Sequence, residues 1–141
     1  MHHLKIFPLL LVAATAALLI AFGLHIKNSG SISSTLIVDT IQRSIDHTTA
    51  SMGCETLALS PKDAETYFST ATEVSAARFD AESIILPCSF SGTLTKGGIR
   101  YAWRIHAAGA GYLTAQATSS ETKRFLCEDA CEKALPALMG R

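Results

Sequence analysis

From Ile84 to Ala117 the chain alternates between apolar and polar residues, and this period of two constrains the fold more than any other feature. Ile84, Leu86, Cys88, Phe90 and Leu94 share one parity, while Ser89, Ser91, Thr93 and Thr95 share the other. Such a pattern is a strand with one wet face. Lys96-Gly97-Gly98 follows as a hairpin signal. Ile99 to His106 alternates again, setting Tyr101, Trp103 and Ile105 against Arg100, Arg104 and His106. Ala108-Gly109-Ala110-Gly111 predicts the next turn, Tyr112 to Ala117 a third strand, and Lys123 to Cys127 a short fourth one after a polar turn. Glu128 to Met139 reads as a closing helix interrupted at Pro136. Strands joined by short turns make a meander, and its apolar face has to be covered.

The cover is expected from two preceding segments. Between Ser31 and Met52, apolar residues at Val38, Ile41, Ile45 and Met52 recur at three- and four-residue spacing, with Leu36 and Ile37 widening the stripe and Gly53 placed to end it. That spacing predicts a helix. Ser60-Pro61-Lys62-Asp63 is a helix start, with Ser60 as cap, Pro61 in the first turn and Asp63 able to reach back. The second helix is expected to run to about Arg78 and to bury Ala64, Tyr67, Phe68, Ala71 and Val74. The predicted fold is therefore α+β: two N-terminal helices on a three- or four-stranded antiparallel meander, then a short C-terminal helix.

Ahead of this domain, Ile6 to Leu24 contains no charged residue and is flanked by Lys5 and Lys27. Nineteen helical residues would extend about 28 Å, close to the apolar thickness of a bilayer. A cleaved signal peptide, with Ala21-Phe22-Gly23 as the cleavage site, competes with a retained transmembrane anchor. The run exceeds the usual length of a signal core, which favours the anchor. Residues 1–27 are accordingly read as membrane segment and 28–141 as the exported domain. The membrane contact is residues 6–24, and the address is the inner (plasma) membrane with the domain on the periplasmic side, or release into the periplasm if the leader is cleaved.

All four cysteines, Cys54, Cys88, Cys127 and Cys131, lie in the exported part. An even set in an oxidising space predicts two disulfides. Two pairings stand out: Cys54–Cys88 with Cys127–Cys131, or Cys88–Cys127 with Cys54–Cys131. Zinc is disfavoured, because Cys127-x3-Cys131 departs from the shorter Cys-x2-Cys knuckle. No cofactor or metal is expected.

From Lys27 onward the chain holds eleven Lys plus Arg and twelve Asp plus Glu, a net charge of −1. Nucleic-acid binding needs a basic excess, so that class is set aside. No nucleophile elbow, His-Glu-x-x-His or phosphate-binding glycine loop is present. Binding is thus expected rather than catalysis. Arg100, Arg104 and His106 project from one strand face, and Lys123 or Arg124 extends it from the last strand, with Tyr112 nearby. Together they form a possible face for an anionic partner in the envelope, such as a lipid headgroup or an acidic protein patch. The same residues also suit the ordinary solvent side of a one-faced sheet.

The layout of apolar N-terminal segment, long helix, antiparallel meander and C-terminal cysteines resembles pilin-like subunits. Their defining glycine cleavage site, followed by an aromatic residue and a glutamate, has no counterpart: Lys5-Ile6-Phe7-Pro8 occupies that place and no acid precedes Asp39. The resemblance implies a secreted assembly subunit as the alternative to a membrane-anchored accessory or structural domain of the cell envelope. A small periplasmic hydrolase is the third reading.

Overall fold

The computed structural model describes residues 35–45, 54–117 and 121–140. They form six strands, β1 (Leu36–Ile45), β2 (Thr72–Val74), β3 (Cys88–Lys96), β4 (Ile99–His106), β5 (Ala110–Ala115) and β6 (Thr122–Leu126). Three helices accompany them, α1 (Pro61–Thr70), α2 (Ala76–Glu82) and α3 (Asp129–Ala134), with a 3-10 turn at Pro136–Met139. The sheet is antiparallel throughout, in the order β1-β3-β4-β5-β6-β2. The fold is α+β, with more strands and a differently built helical cover than the sequence predicts. No helix among the described residues is long and apolar enough to cross a membrane. The apolar run 6–24, the polar hinge after it and the end of the expected first helix lie outside the described residues.

β3 to β6 are the expected meander. Gly97 and Gly98 take positive φ values of 58° and 79°, as a two-residue hairpin turn requires. Trp103 and Ile105 are buried and Arg100 and Arg104 exposed, so the alternation along β4 reports its two faces.

The first expected helix is instead edge strand β1. Its apolar residues other than Ile37 fall on one face, but the ladder with β3 shifts register between Val38 and Thr40. A bulge there adds one residue and reverses the parity. Leu36 and Val38 lie on the core side before it, as does Ile41 after it. The step from Val38 to Ile41 is therefore three residues, which imitates helical spacing. Gly92 makes the bulge possible, because a Cβ on it would stand 1.9 Å from the Thr40 carbonyl oxygen.

The second expected helix is two helices with β2 between them. Its start is as read. Ser60 Oγ accepts from the Asp63 N–H at 3.1 Å, and the Asp63 carboxylate accepts from the Ser60 N–H at 2.9 Å. After Thr70 the chain extends, and Thr72, Glu73 and Val74 pair with Leu126, Phe125 and Arg124 of β6. Ser75 then caps α2 by accepting from the Arg78 N–H at 3.2 Å. β-Branched Thr72 and Val74 followed by a serine cap are the local reason for the break.

α1 covers one face of the sheet. Its Ala64, Tyr67 and Phe68 pack with Phe90, Leu94, Trp103, Ile105, Leu113 and Phe125, and Cys131, Leu135 and Leu138 close the end. Phe68 meets Tyr67, Trp103 and Phe125 edge-on, at centroid distances of 5.0, 6.1 and 5.5 Å. α2 sits on the opposite face but covers only one end of it, where Phe79 packs on Ala110 and Leu126 beside Val74 and Tyr112.

The disulfides are Cys54–Cys88 and Cys127–Cys131, separated by 34 and 4 residues. Loop-closure entropy assigns about 4 kcal/mol to the first and about 2 kcal/mol to the second. Replacing Cys54 and Cys88 together by Ser should therefore lower urea stability about twice as far as the Cys127/Cys131 double replacement; equal losses would contradict this ordering. Gly92→Ala should cost about 3 kcal/mol in the same titration, the upper end for overpacking, because the clash is with backbone. A neutral result would mean that the bulge relaxes.

Candidate functional site

The face left open beyond α2 holds the residues that alternation directs away from the core. Cross-strand pairing places them in rows. One row runs from Gln42 on β1 through Ser91, Arg104, Tyr112 and Arg124 to Val74 on β2. The next holds Thr40, Thr93, Ala102, Thr114 and Thr122. Its hydroxyls pair across strands, Thr40 with Thr93 at 3.1 Å and Thr114 with Thr122 at 3.0 Å. Between the rows lies a shallow groove of about 380 Å³ walled by Ser91, Thr93, Arg104, Tyr112 and Thr114 among others.

Arg104 and Arg124 flank Tyr112 across three neighbouring strands, so their backbones are about 10 Å apart. Arg100 stands one side-chain repeat further along from Ala102, opposite Thr95. Its guanidinium lies 3.4 Å from Thr93 Oγ1, and that of Arg124 lies 3.4 Å from the Thr122 carbonyl. Among the described residues none of these three arginines forms an ion pair. Asp39 stands nearby at the bulge and accepts from the Thr95 hydroxyl at 3.1 Å. Lys123 does not join the face. It points to the α1 side and pairs with Glu73 at 3.0 Å.

His106 shares the face but not its exposure. Half-buried, it places Nδ1 3.3 Å from the Leu86 carbonyl and meets the Tyr112 ring edge-on at 6.1 Å. Burial pushes its pKa below the usual 6.5, the Leu86 carbonyl opposes that shift, and the charge of Arg104 adds to it. His106 is therefore a packed, neutral post rather than a fourth cation. Ser89 lies directly across from it, yet no hydrogen bond joins them and no carboxylate partners His106 among the described residues. That pair lacks the base and orienting group of a nucleophilic site.

A second cleft, of about 490 Å³, opens beside the Cys54–Cys88 bridge and is walled by Leu57, Leu86, Ala107, Leu138 and Met139 among others. Its walls carry no acid, base or free thiol. No group of three His, Cys, Asp or Glu able to hold a metal ion occurs among the described residues.

The structure thus gathers Arg100, Arg104 and Arg124 on one face and withdraws His106 from it. The four cysteines are spent in two bridges within the domain. Sequence reasoning missed Tyr112 as the centre of the arginine row, since only the β4–β5–β6 register brings Arg124 level with Arg104. The long helix on which the likeness to pilin-like subunits drew is strand β1. Comparison with known proteins finds no family model, no curated protein and no solved structure that matches the chain.

The lowered pKa of His106 gives a pH test. The unfolded chain binds a proton at His106 near pH 6.5, whereas the folded chain binds it only at lower pH. Stability is full above 6.5 and falls as pH drops from there toward the folded value. His106→Gln should flatten that portion of the urea-stability profile. An unaltered slope would assign it to other groups.

Proposed function

We propose that this protein is a membrane-anchored extracytoplasmic domain that works by binding, as an accessory or structural component of the cell envelope. The observation that carries this reading is the row Arg104–Tyr112–Arg124, which places two cations without acidic partners either side of a half-buried tyrosine, where the cover by α2 ends. The strand ladders fix the backbone from which each guanidinium projects, so binding a carboxylate or phosphate has to order the side chains alone. The ring of Tyr112 between them supplies apolar area with a polar tip. Disulfides support an oxidising compartment, and the uncharged stretch from Ile6 to Leu24 supports an anchor at the inner membrane. The walls of both clefts favour binding over catalysis.

The test uses the full-length protein in neutral detergent on immobilised polyglutamate. The wild type should be retained at low salt and released as salt rises, since exposed charge contacts are screened within about 10 Å at 0.1 M. Arg104→Ala with Arg124→Ala should elute at clearly lower salt, with an unchanged melting temperature. Lys62→Ala with Lys133→Ala alters net charge equally but lies elsewhere on the surface. If both double variants elute together, net charge rather than this face governs retention, and the reading fails.

A further inference from the structure

The large apolar side chains that stand exposed among the described residues are Ile37, Ile84, Ile85 and Ile99. Three of them belong to the arginine side. Ile37, 51% exposed, pairs with Thr95, whose side chain shares the open face. Ile84 and Ile85, 61% and 51% exposed, lie on the loop that leaves α2 and returns to β3. That loop is held against the open face by the Leu86 carbonyl at His106. Apolar posts therefore stand at opposite ends of the strands, with Arg104, Tyr112 and Arg124 between them and Arg100 level with Ile37.

This arrangement inverts a protein–protein interface, which has an apolar centre and a polar rim. It suits a lipid surface, where projecting apolar groups enter the headgroup–acyl boundary and cations stay at the phosphates. Two acids on this side are already engaged. Arg78 pairs with Glu82 and Glu128, while Asp39, which accepts from the Thr95 hydroxyl, and Asp80 on α2 stand exposed. Chain length permits the geometry too. Residues 25–35 separate the apolar run from β1, and eleven residues reach at most about 38 Å. The radius of gyration of a domain this size is only about 13 Å, so the length of chain between the apolar run and β1 is enough for the open face to meet a bilayer.

We propose that the open sheet face docks on an anionic phospholipid surface, with Ile37 and the Ile84–Ile85 loop entering the headgroup layer and Arg104 and Arg124 meeting lipid phosphates. The inference rests on the open face being the binding face, and it names the partner. It makes the domain lie flat on the membrane rather than stand away from it.

The experiment reconstitutes the full chain into vesicles of phosphatidylcholine alone or of an equimolar mixture with phosphatidylglycerol. Phenylglyoxal modification, read by mass spectrometry, reports each arginine. Arg104 and Arg124 should react several-fold more slowly on the anionic vesicles, and high salt should abolish the difference. Arg43, which donates to the Glu55 and Leu57 carbonyls away from this face, is the internal control and should not change. Each arginine should shift the docked-to-free ratio about fivefold, so Arg104→Ala should release Arg124 by that factor. Ile84→Glu, at an exposed position, should release both arginines while leaving the fold intact. Equal reactivity on the two vesicle types overturns the proposal. Soluble polyglutamate separates the two levels of the reading. If it protects the arginines on neutral vesicles while phosphatidylglycerol does not, the lipid assignment falls and the anionic-binding face stands. If neither protects, both fall.

Discussion

The hydroxyl of Tyr67 donates to the Gly109 carbonyl at 2.9 Å, with the Phe125 carbonyl at 3.3 Å, and the rest of the domain is arranged around that contact. Tyr67 is fully buried, and burial holds its phenol far above the usual pKa, so it stays a donor at any physiological pH. To reach the carbonyl the ring passes over Gly111, where a Cβ would stand 2.4 Å from the hydroxyl oxygen. The Gly109 carbonyl also accepts from the Cys127 N–H at 2.9 Å. One point therefore ties α1, the β4–β5 turn and the start of the C-terminal segment together. A buried phenol without this acceptor would cost about 1–3 kcal/mol, so the contact specifies where α1 sits as well as adding stability.

That placement decides which face of the sheet is free. With α1 locked over β4 to β6, and α3 and the 3-10 turn closing the same side, the apolar faces of β3, β4 and β5 are spent in one core. The short α2 covers only the Phe79 end of the reverse face. What remains is a platform of hydroxyls, guanidiniums and one tyrosine. Its rigidity comes from the ladders beneath it, and its charge remains available because Glu73 pairs with Lys123 on the other side rather than with Arg124. The binding proposal and the lipid inference both follow from this division of labour between two helices of unequal reach.

Much of the sheet was legible. The Gly97-Gly98 turn, the alternation from Cys88 through β3 and β4, the Ser60 capping box and the break at Pro136 all depend on neighbours in sequence, and each was read correctly, whereas Ile84 and Leu86, read into the same strand, lie in the loop before it. β1 was not legible, since a bulge that shifts parity between Val38 and Thr40 turns two-residue spacing into an apparent helical stripe. Only Gly92, a mid-strand glycine on the partner strand, carried a hint of it. The helix expected through Arg78 failed at Thr72 to Val74, where pairing with β6 outweighs helical continuation. Of the candidate site, the arginines were identifiable by type and parity. Their level alignment around Tyr112, the removal of His106 by the Leu86 loop, and the turning away of Lys123 were not.

The residues in order determine the alternation, the turns, the caps, the even number of cysteines and the uncharged stretch at 6–24, because each is a property of local spacing or composition. Tertiary structure alone decides that Cys54 joins Cys88, that β1 and β2 complete the sheet at its two edges, and that one face stays uncovered. Those outcomes depend on register between segments distant in sequence. A single added residue at a bulge, or a single buried hydroxyl finding its carbonyl, shifts every side chain that follows from one face to the other or fixes it where it stands.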